Sequence, residues 1–113
     1  MHTPQAIAAL GALAQETRLA IFRLLVQRGP EGFAAGSIAE KLGVPPGTLS
    51  FHLAQLMHAG LIVQRRESRS LIYSANYDGM NDLIAYLTEN CCRGAAASCA
   101  GSYVLAGASR AAP

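Results

Sequence analysis

Residues 37–60 read SIAEKLGVPPGTLSFHLAQLMHAG, and this stretch decides the fold. Ile38, Ala39 and Leu42 recur at i, i+1, i+4, and Leu49, Leu53, Leu56 and Met57 at i, i+4, i+7, i+8. Each set makes one apolar face on a short helix. Between the helices lies Leu42-Gly43-Val44-Pro45-Pro46. Gly43 can adopt the left-handed conformation that stops the first helix. Pro46 suits the first turn of the second, where a missing N–H costs nothing. Ala39, one turn before Gly43, puts a small residue where the helices cross. Thr48, Ser50, Phe51, His52 and Gln55 are expected on the outward face of the second helix. A helix-turn-helix of this kind lays its second helix in a DNA major groove.

Upstream, residues 5–14 form a short apolar helix with Ile7, Leu10 and Leu13/Ala14 on one side. It is too short and too apolar to stand alone. Glu16 to Arg28 is a second helix, apolar over a wide arc and so the expected central core helix, ended by Gly29-Pro30-Glu31-Gly32. Phe33 to Gly36 reads as a linker before Ser37, with a helical start left open. Downstream the period changes. Residues 61–67 and 70–74 are β-branched and apolar runs around a polar Ser68-Arg69 turn, which makes a β-hairpin. A hairpin after a helix-turn-helix is a wing, and this one carries Arg65, Arg66 and Arg69 towards its tip. Asp78 is the expected N-cap of a last helix. Met80, Leu83, Ile84 and Leu87 follow at i, i+3, i+4, i+7, and the helix is expected to run towards Cys91. Residues 94–113 are mostly Ala, Gly and Ser and are expected to be a flexible tail. The division is a winged helix-turn-helix domain over 1–92 and a tail over 93–113 that contributes Cys99. The fold class is mainly α with a β-hairpin wing.

At 113 residues the chain is one domain by length. Half of it is apolar, enough for a modest core, and a dimer would add burial that a monomer this small lacks. Charged residues make up 14% and the net charge is +2, so overall charge decides little. The clustering of three arginines within five positions is more telling, as an electrostatic footprint for nucleic acid. No run of about 18 apolar residues is present, so no membrane span is expected. The opening MHTPQAIAAL lacks a basic region followed by a long apolar stretch, so no signal peptide and a cytoplasmic setting are expected. Thiols stay reduced there. Three cysteines, all near the C-terminus, do not make a disulfide framework.

The order of elements comes with family wording. Ala14-x-Glu16-Thr17-Arg18-Leu19 opens the second helix, and Leu49-Ser50-x-His52-Leu53-x-x-Leu56 forms the recognition helix. Ala59-Gly60-Leu61-Ile62-x-x-Arg65-Arg66-Glu67-x-Arg69-x-x-x-Tyr73 forms the wing. Over residues 5 to about 90 this resembles the ArsR/SmtB family of metal- and metalloid-responsive bacterial repressors. The resemblance implies a homodimer, joined through its first and last helices, that represses an operator until an inducer binds. Arsenic sensors of one branch carry Cys-x-Cys in the first helix of the helix-turn-helix; here Ser37 to Leu42 has no thiol. Zinc sensors of another branch use Asp and His along the last helix; here Asp78 to Asn90 has no histidine. The cluster Cys91, Cys92 and Cys99 resembles the C-terminal arsenite sites of a third branch.

The chemistry of that cluster agrees. Soft thiolates select soft ions. Trivalent arsenic or antimony takes three sulfurs in a pyramid, whereas structural zinc wants four ligands. On a helix, side chains at i and i+1 diverge, and Cys92 to Cys99 would span about 10 Å. One ion cannot gather all three sulfurs on a regular helix, so the helix must end or unwind near Cys91. The same thiols could serve a redox switch, or take Cd(II) or Pb(II). They could also be small buried hydrophobes.

Among the candidate DNA contacts, Thr48 and Ser50 suit phosphate, Phe51 a thymine methyl, and Gln55 a polar contact. His52 is either a contact or a hydrogen-bonded anchor of its helix. Arg65, Arg66 and Arg69 suit phosphate or the minor groove. A dimer would set two recognition helices about 34 Å apart on an inverted repeat. An enzyme is not expected: no anion-cradling loop precedes a helix, and Cys91-Cys92-Arg93 sits at a helix end, where no dipole lowers a thiol pKa. The reading is an As(III)- or Sb(III)-responsive repressor, with a thiol redox-sensing or Cd/Pb-responsive repressor as the alternative. A winged helix that binds only protein would show no salt-sensitive DNA binding.

Overall fold

The computed structural model describes residues 1–94, the side chain of Arg93 aside. Cys99 and the rest of the expected tail lie outside the described residues. The elements are α1 (Thr3–Leu13), α2 (Glu16–Arg28), β1 (Phe33–Ala34), α3 (Ala35–Leu42), α4 (Pro46–His58), β2 (Ile62–Glu67), β3 (Ser70–Ala75) and α5 (Tyr77–Leu87), followed by a 3-10 turn at Cys91–Gly94. This is a mainly helical winged helix-turn-helix.

The turn chemistry of the quoted stretch holds. Gly43 caps α3 at φ 65°, left-handed, and its N–H donates to the Ala39 carbonyl. Pro46 takes the first position of α4 behind the extended Pro45. Ile38 from α3 and Leu49, Leu53 and Leu56 from α4 are buried against Ile21 and Leu25 of α2. Burial of such a side chain is worth about 1.5–3 kcal/mol, so these few positions fix the docking of α4. Leu61 and Ile62 seal the entry to the wing.

Two expectations need correction and two are sharpened. First, residues 33–36 are not a plain linker: Phe33 and Ala34 pair antiparallel with Tyr73 and Ile72, giving a sheet of order β1-β3-β2, while the helical start before Ser37 is present, with α3 beginning at Ala35. A two-residue strand leaves no alternation to detect; only its pairing with β3 defines it. A side chain on Gly32 would strike the Tyr73 carbonyl, so glycine is required where the chain enters this strand. Second, α5 is capped by Asn76, whose side chain accepts from the Gly79 N–H, and Asp78 falls inside its first turn. Third, α5 runs towards Cys91 but ends at Leu87, in keeping with the expectation that the helix ends or unwinds near Cys91. Asn90 and Cys92 sit at φ 58° and 55°, and two left-handed residues so close are incompatible with continued helix.

The fourth concerns α1. It buries Ala6, Ala9 and Ala12, while Ile7 and Leu10 face out at 64% and 43% exposure. The small face lets α1 approach the core closely, and its large side chains are left over. The last helix divides likewise: Leu83 is buried, Met80 packs on the core, and Ile84 and Leu87 stand 41% and 56% exposed. Helices α1 and α5 are neighbours, joined by a hydrogen bond between the Thr3 and Tyr86 hydroxyls.

Candidate nucleic-acid interface

The outward face of α4 carries Thr48, Ser50, Phe51 and Gln55, all exposed. Phe51 is 58% exposed, a large apolar ring that no core claims. The helix presents two hydroxyls near its N-terminus, where four backbone N–H groups lack helical partners and anions are favoured. Short polar groups around one protruding ring suit a groove that offers acceptors, donors and methyls in sequence-dependent order.

His52 lies elsewhere. It is 8% exposed, and its Nδ1 is 3.2 Å from Arg18 Nη1 on α2. A guanidinium has no acceptor, so the arginine donates and Nδ1 accepts, which places the proton of a neutral ring on Nε2. Burial, and after it the Arg18 charge, lower the His52 pKa from its ordinary 6.5. Of the two roles open to His52, the geometry supplies an anchor of its helix.

The wing is a two-residue hairpin in which Glu67 pairs with Ser70, and Ser68 sits at φ 57°. Its arginines differ. Arg66 and Arg69 are exposed, with no ion pair among the described residues. Arg65 is occupied. Its Nε donates to Glu67 at 2.8 Å, its Nη1 to the Pro30 carbonyl at 3.0 Å, and its Nη2 to the Glu31 carbonyl at 2.8 Å. It ties the wing to the loop after α2, while Arg66 and Arg69 remain available to a phosphate backbone.

At the other end of the chain the sulfurs of Cys91 and Cys92 are 3.6 Å apart. Neighbouring side chains on an α-helix diverge; here the 3-10 turn and the left-handed Cys92 turn them together. Cys91 is itself disulfide-bonded, contrary to the expectation of reduced thiols, so the pair could take a soft ion only after reduction. Cys99 lies outside the described residues. Among those described, no group of three His, Cys, Asp or Glu side chains is placed to hold a metal.

The structure thus collects Thr48, Ser50, Phe51 and Gln55 on one surface, sends His52 beneath it, and gives Arg65 an internal role. Arg18 and Asn76 had no functional reading from sequence. Arg18 was visible within Glu16-Thr17-Arg18-Leu19, yet nothing local says that it reaches α4, 34 residues on. Asn76 donates through Nδ2 to the Gly60 carbonyl at 2.9 Å while capping α5, so it pins the start of α5 to the segment leaving α4.

Comparison with known proteins agrees with this geometry. A helix-turn-helix domain family matches residues 13–65. The nodulation protein NolR of Rhizobium meliloti is 33% identical over 90 residues, covering 78% of this chain and 71% of NolR. The HTH-type transcriptional regulator YgaV of Escherichia coli K12 is 33% identical over 88 residues, covering 78% and 87%. Among solved structures, the ArsR-like transcriptional regulator from Rhodococcus sp. RHA1 superposes with a TM-score of 0.68 at 25% identity, covering 91% of this chain and 92% of that one. The homodimeric winged helix-turn-helix DNA-binding domain of Mb0332 from Mycobacterium bovis gives 0.63 at 28%, covering 77% and 81%.

Proposed function

The chain belongs to the ArsR family of winged helix-turn-helix transcriptional regulators, and on that premise we propose that it is a homodimeric operator-binding repressor, released when As(III) or Sb(III) is held by Cys91, Cys92 and Cys99. For DNA binding, the supporting geometry is the polar outward face of α4 beside Arg66 and Arg69 of the wing. Ile7, Leu10, Ile84 and Leu87 supply an apolar surface on two adjacent helices, suited to a second copy of the chain. The homodimeric Mycobacterium bovis domain supports that assembly.

The observation that carries the inducer is the 3.6 Å approach of two sulfurs at the end of α5. With the Cys91 disulfide reduced, the pair would supply two thiolates of a trigonal site and Cys99 the third. The fit selects soft, thiophilic ions over hard ones. Closing three thiolates around one centre would constrain the chain after α5. Because α5 is tied to Gly60 through Asn76 and borders α1, a change there reaches both the apolar face and the exit of α4. Induction is then a shift between two dimer geometries, only one of which fits both half-sites.

The test is a gel shift with the DNA upstream of the protein's own gene, with and without arsenite. Binding that arsenite abolishes, and that persists in Cys91→Ser, Cys92→Ser and Cys99→Ser, is expected. Arsenite release unchanged in all three variants would rule out the thiol site. Release by peroxide and not by arsenite would assign the same thiols to a redox switch, and release by Cd(II) or Pb(II) alone to a metal-responsive repressor.

A further inference from the structure

Arg18 joins three helices. Its backbone N–H is held by the Gln15 side chain at 2.8 Å, at the start of α2. Its Nε donates to the Ala12 carbonyl at 2.7 Å, near the end of α1, and its Nη1 to His52 Nδ1 at 3.2 Å, on α4. The His52 ring in turn meets the Phe51 ring edge-on, with centroids 5.6 Å apart and planes at 63°. Phe51 is the large exposed group of the recognition face. One contiguous set of contacts therefore leads from the last turn of α1 to the DNA-facing surface of α4.

We propose that Arg18 and His52 are positioning residues: the guanidinium, fixed on the Ala12 carbonyl, holds the His52 imidazole so that its edge seats the Phe51 ring for base contact. This rests on α4 being the DNA-reading helix. It goes further by naming which buried groups set the pose of its exposed aromatic, and by linking that pose to α1, which borders the apolar dimer surface.

The chemistry is specific. Nδ1 must be an acceptor, so only the neutral Nε2–H tautomer fits. Protonation replaces the bond with two adjacent cations and releases the ring. Among the described residues no acidic side chain is paired with the ring. Helix α1 carries no ionisable side chain. Helix α2 supplies Arg18, another cation, while its Glu16, Arg23 and Arg28 are exposed. On α4 the neighbour is His58, which with Arg18, Gln55 and Ala12 lines a groove of about 240 Å³ between α1 and α4. On α3, Glu40 and Lys41 are exposed, and Lys41 lies over the Phe33 ring. On β2, Arg65 and Glu67 are paired with each other and Arg66 is exposed. Burial and Arg18 both keep the ring neutral at pH 7. Because the folded pKa is lowered, the contribution is complete above 6.5 and is lost as pH falls below it.

The experiment measures operator affinity of the full chain from pH 5 to 8, with its salt dependence, for wild type, Arg18→Gln, His52→Leu, His52→Asn and Phe51→Ala. Wild-type affinity is expected to fall on acidification below pH 6.5. His52→Leu, Arg18→Gln and Phe51→Ala should each bind roughly tenfold more weakly at pH 7.5, with unchanged salt slope because none removes a phosphate contact. His52→Asn, whose amide oxygen can accept from Arg18 but which lacks the ring edge that seats Phe51, should stay folded, bind as weakly as His52→Leu and lose the pH dependence. A salt slope reduced by about 0.9 in Arg18→Gln would make Arg18 a phosphate contact and overturn the proposal. So would folded His52→Leu and Arg18→Gln with wild-type affinity at every pH, since a purely structural role would move only the melting temperature. If a variant does not fold, the ring ¹⁵N spectrum of wild type decides: the Nε2–H tautomer at pH 7 supports the proposal, and Nδ1–H or an imidazolium refutes it. That spectrum needs no DNA, so a wild type that fails to bind any operator sinks the functional reading while the ring state is judged separately.

Discussion

Helices α1 and α4 both bury one face on the same core, yet they turn opposite kinds of surface outward. Helix α4 buries Leu49, Leu53 and Leu56 and shows Thr48, Ser50, Phe51 and Gln55. Helix α1 buries alanines and shows Ile7 and Leu10. A helix keeps large apolar groups outward at a cost unless something covers them. The contrast teaches that the molecule carries two surfaces of different chemistry, a polar one on α4 and an apolar one on α1 and α5.

The sharpest way to break that contrast is to charge the apolar side. Ile7→Asp combined with Leu87→Asp should give a folded monomer by sedimentation, with operator affinity reduced about 100-fold through loss of the second half-site. A dimer that persists and binds normally would reassign that surface. Next, the two faces of α4 should separate stability from affinity. Leu53→Ala removes a buried side chain and should cost about 3 kcal/mol, lowering Tm by about 12 °C at fixed protein concentration. Phe51→Ala should leave Tm within a few degrees while weakening DNA binding; the opposite pattern would show that Phe51 packs and does not read.

The wing offers a finer contrast. Arg69→Ala should reduce the slope of log K against log salt by about 0.9. Arg65→Ala should leave the slope unchanged and lower Tm modestly, because its three hydrogen bonds are internal. Equal slopes for both variants and wild type would remove the wing from the interface. Smallest is the tip. Ser68 holds a left-handed φ of 57°, and Ser68→Gly should stabilise the hairpin by about 0.5 kcal/mol, measurable by thermal melting. A loss of stability would mean that the Ser68 side chain contributes a contact there.

Much of the fold could be read from residues because the signals were local. Gly43 as a left-handed cap, Pro46 at a helix start and Ser68-Arg69 between β-prone runs each act within a turn of where they stand. Helix α2 matches its expected Glu16 to Arg28 bounds for the same reason: Gln15 caps its start and Gly29 ends it. The candidate site was less legible. Thr48, Ser50, Phe51 and Gln55 fall on the outward arc that periodicity predicts, but His52 is polar and still inward. Polarity reports the cost of burying a group without a partner, and Arg18 supplies the partner from another helix.

What the amino-acid sequence determined by itself, then, is the order of elements, the turn that sets α3 against α4, and the presence of thiols after the last helix. Hydrophobic period and turn chemistry are properties of neighbouring residues, so they are written in the chain. Only the tertiary structure decided which side of α1 faces in, because Ala and Leu count alike as apolar and close packing alone chose the smaller. It also decided that Phe33 and Ala34 become a strand against β3, that Arg65 is spent on Pro30 and Glu31 while Arg69 is not, and that Cys91 and Cys92 turn their sulfurs together. Each of these depends on a partner distant in sequence or on a backbone reversal, and neither is encoded in a residue's immediate neighbours.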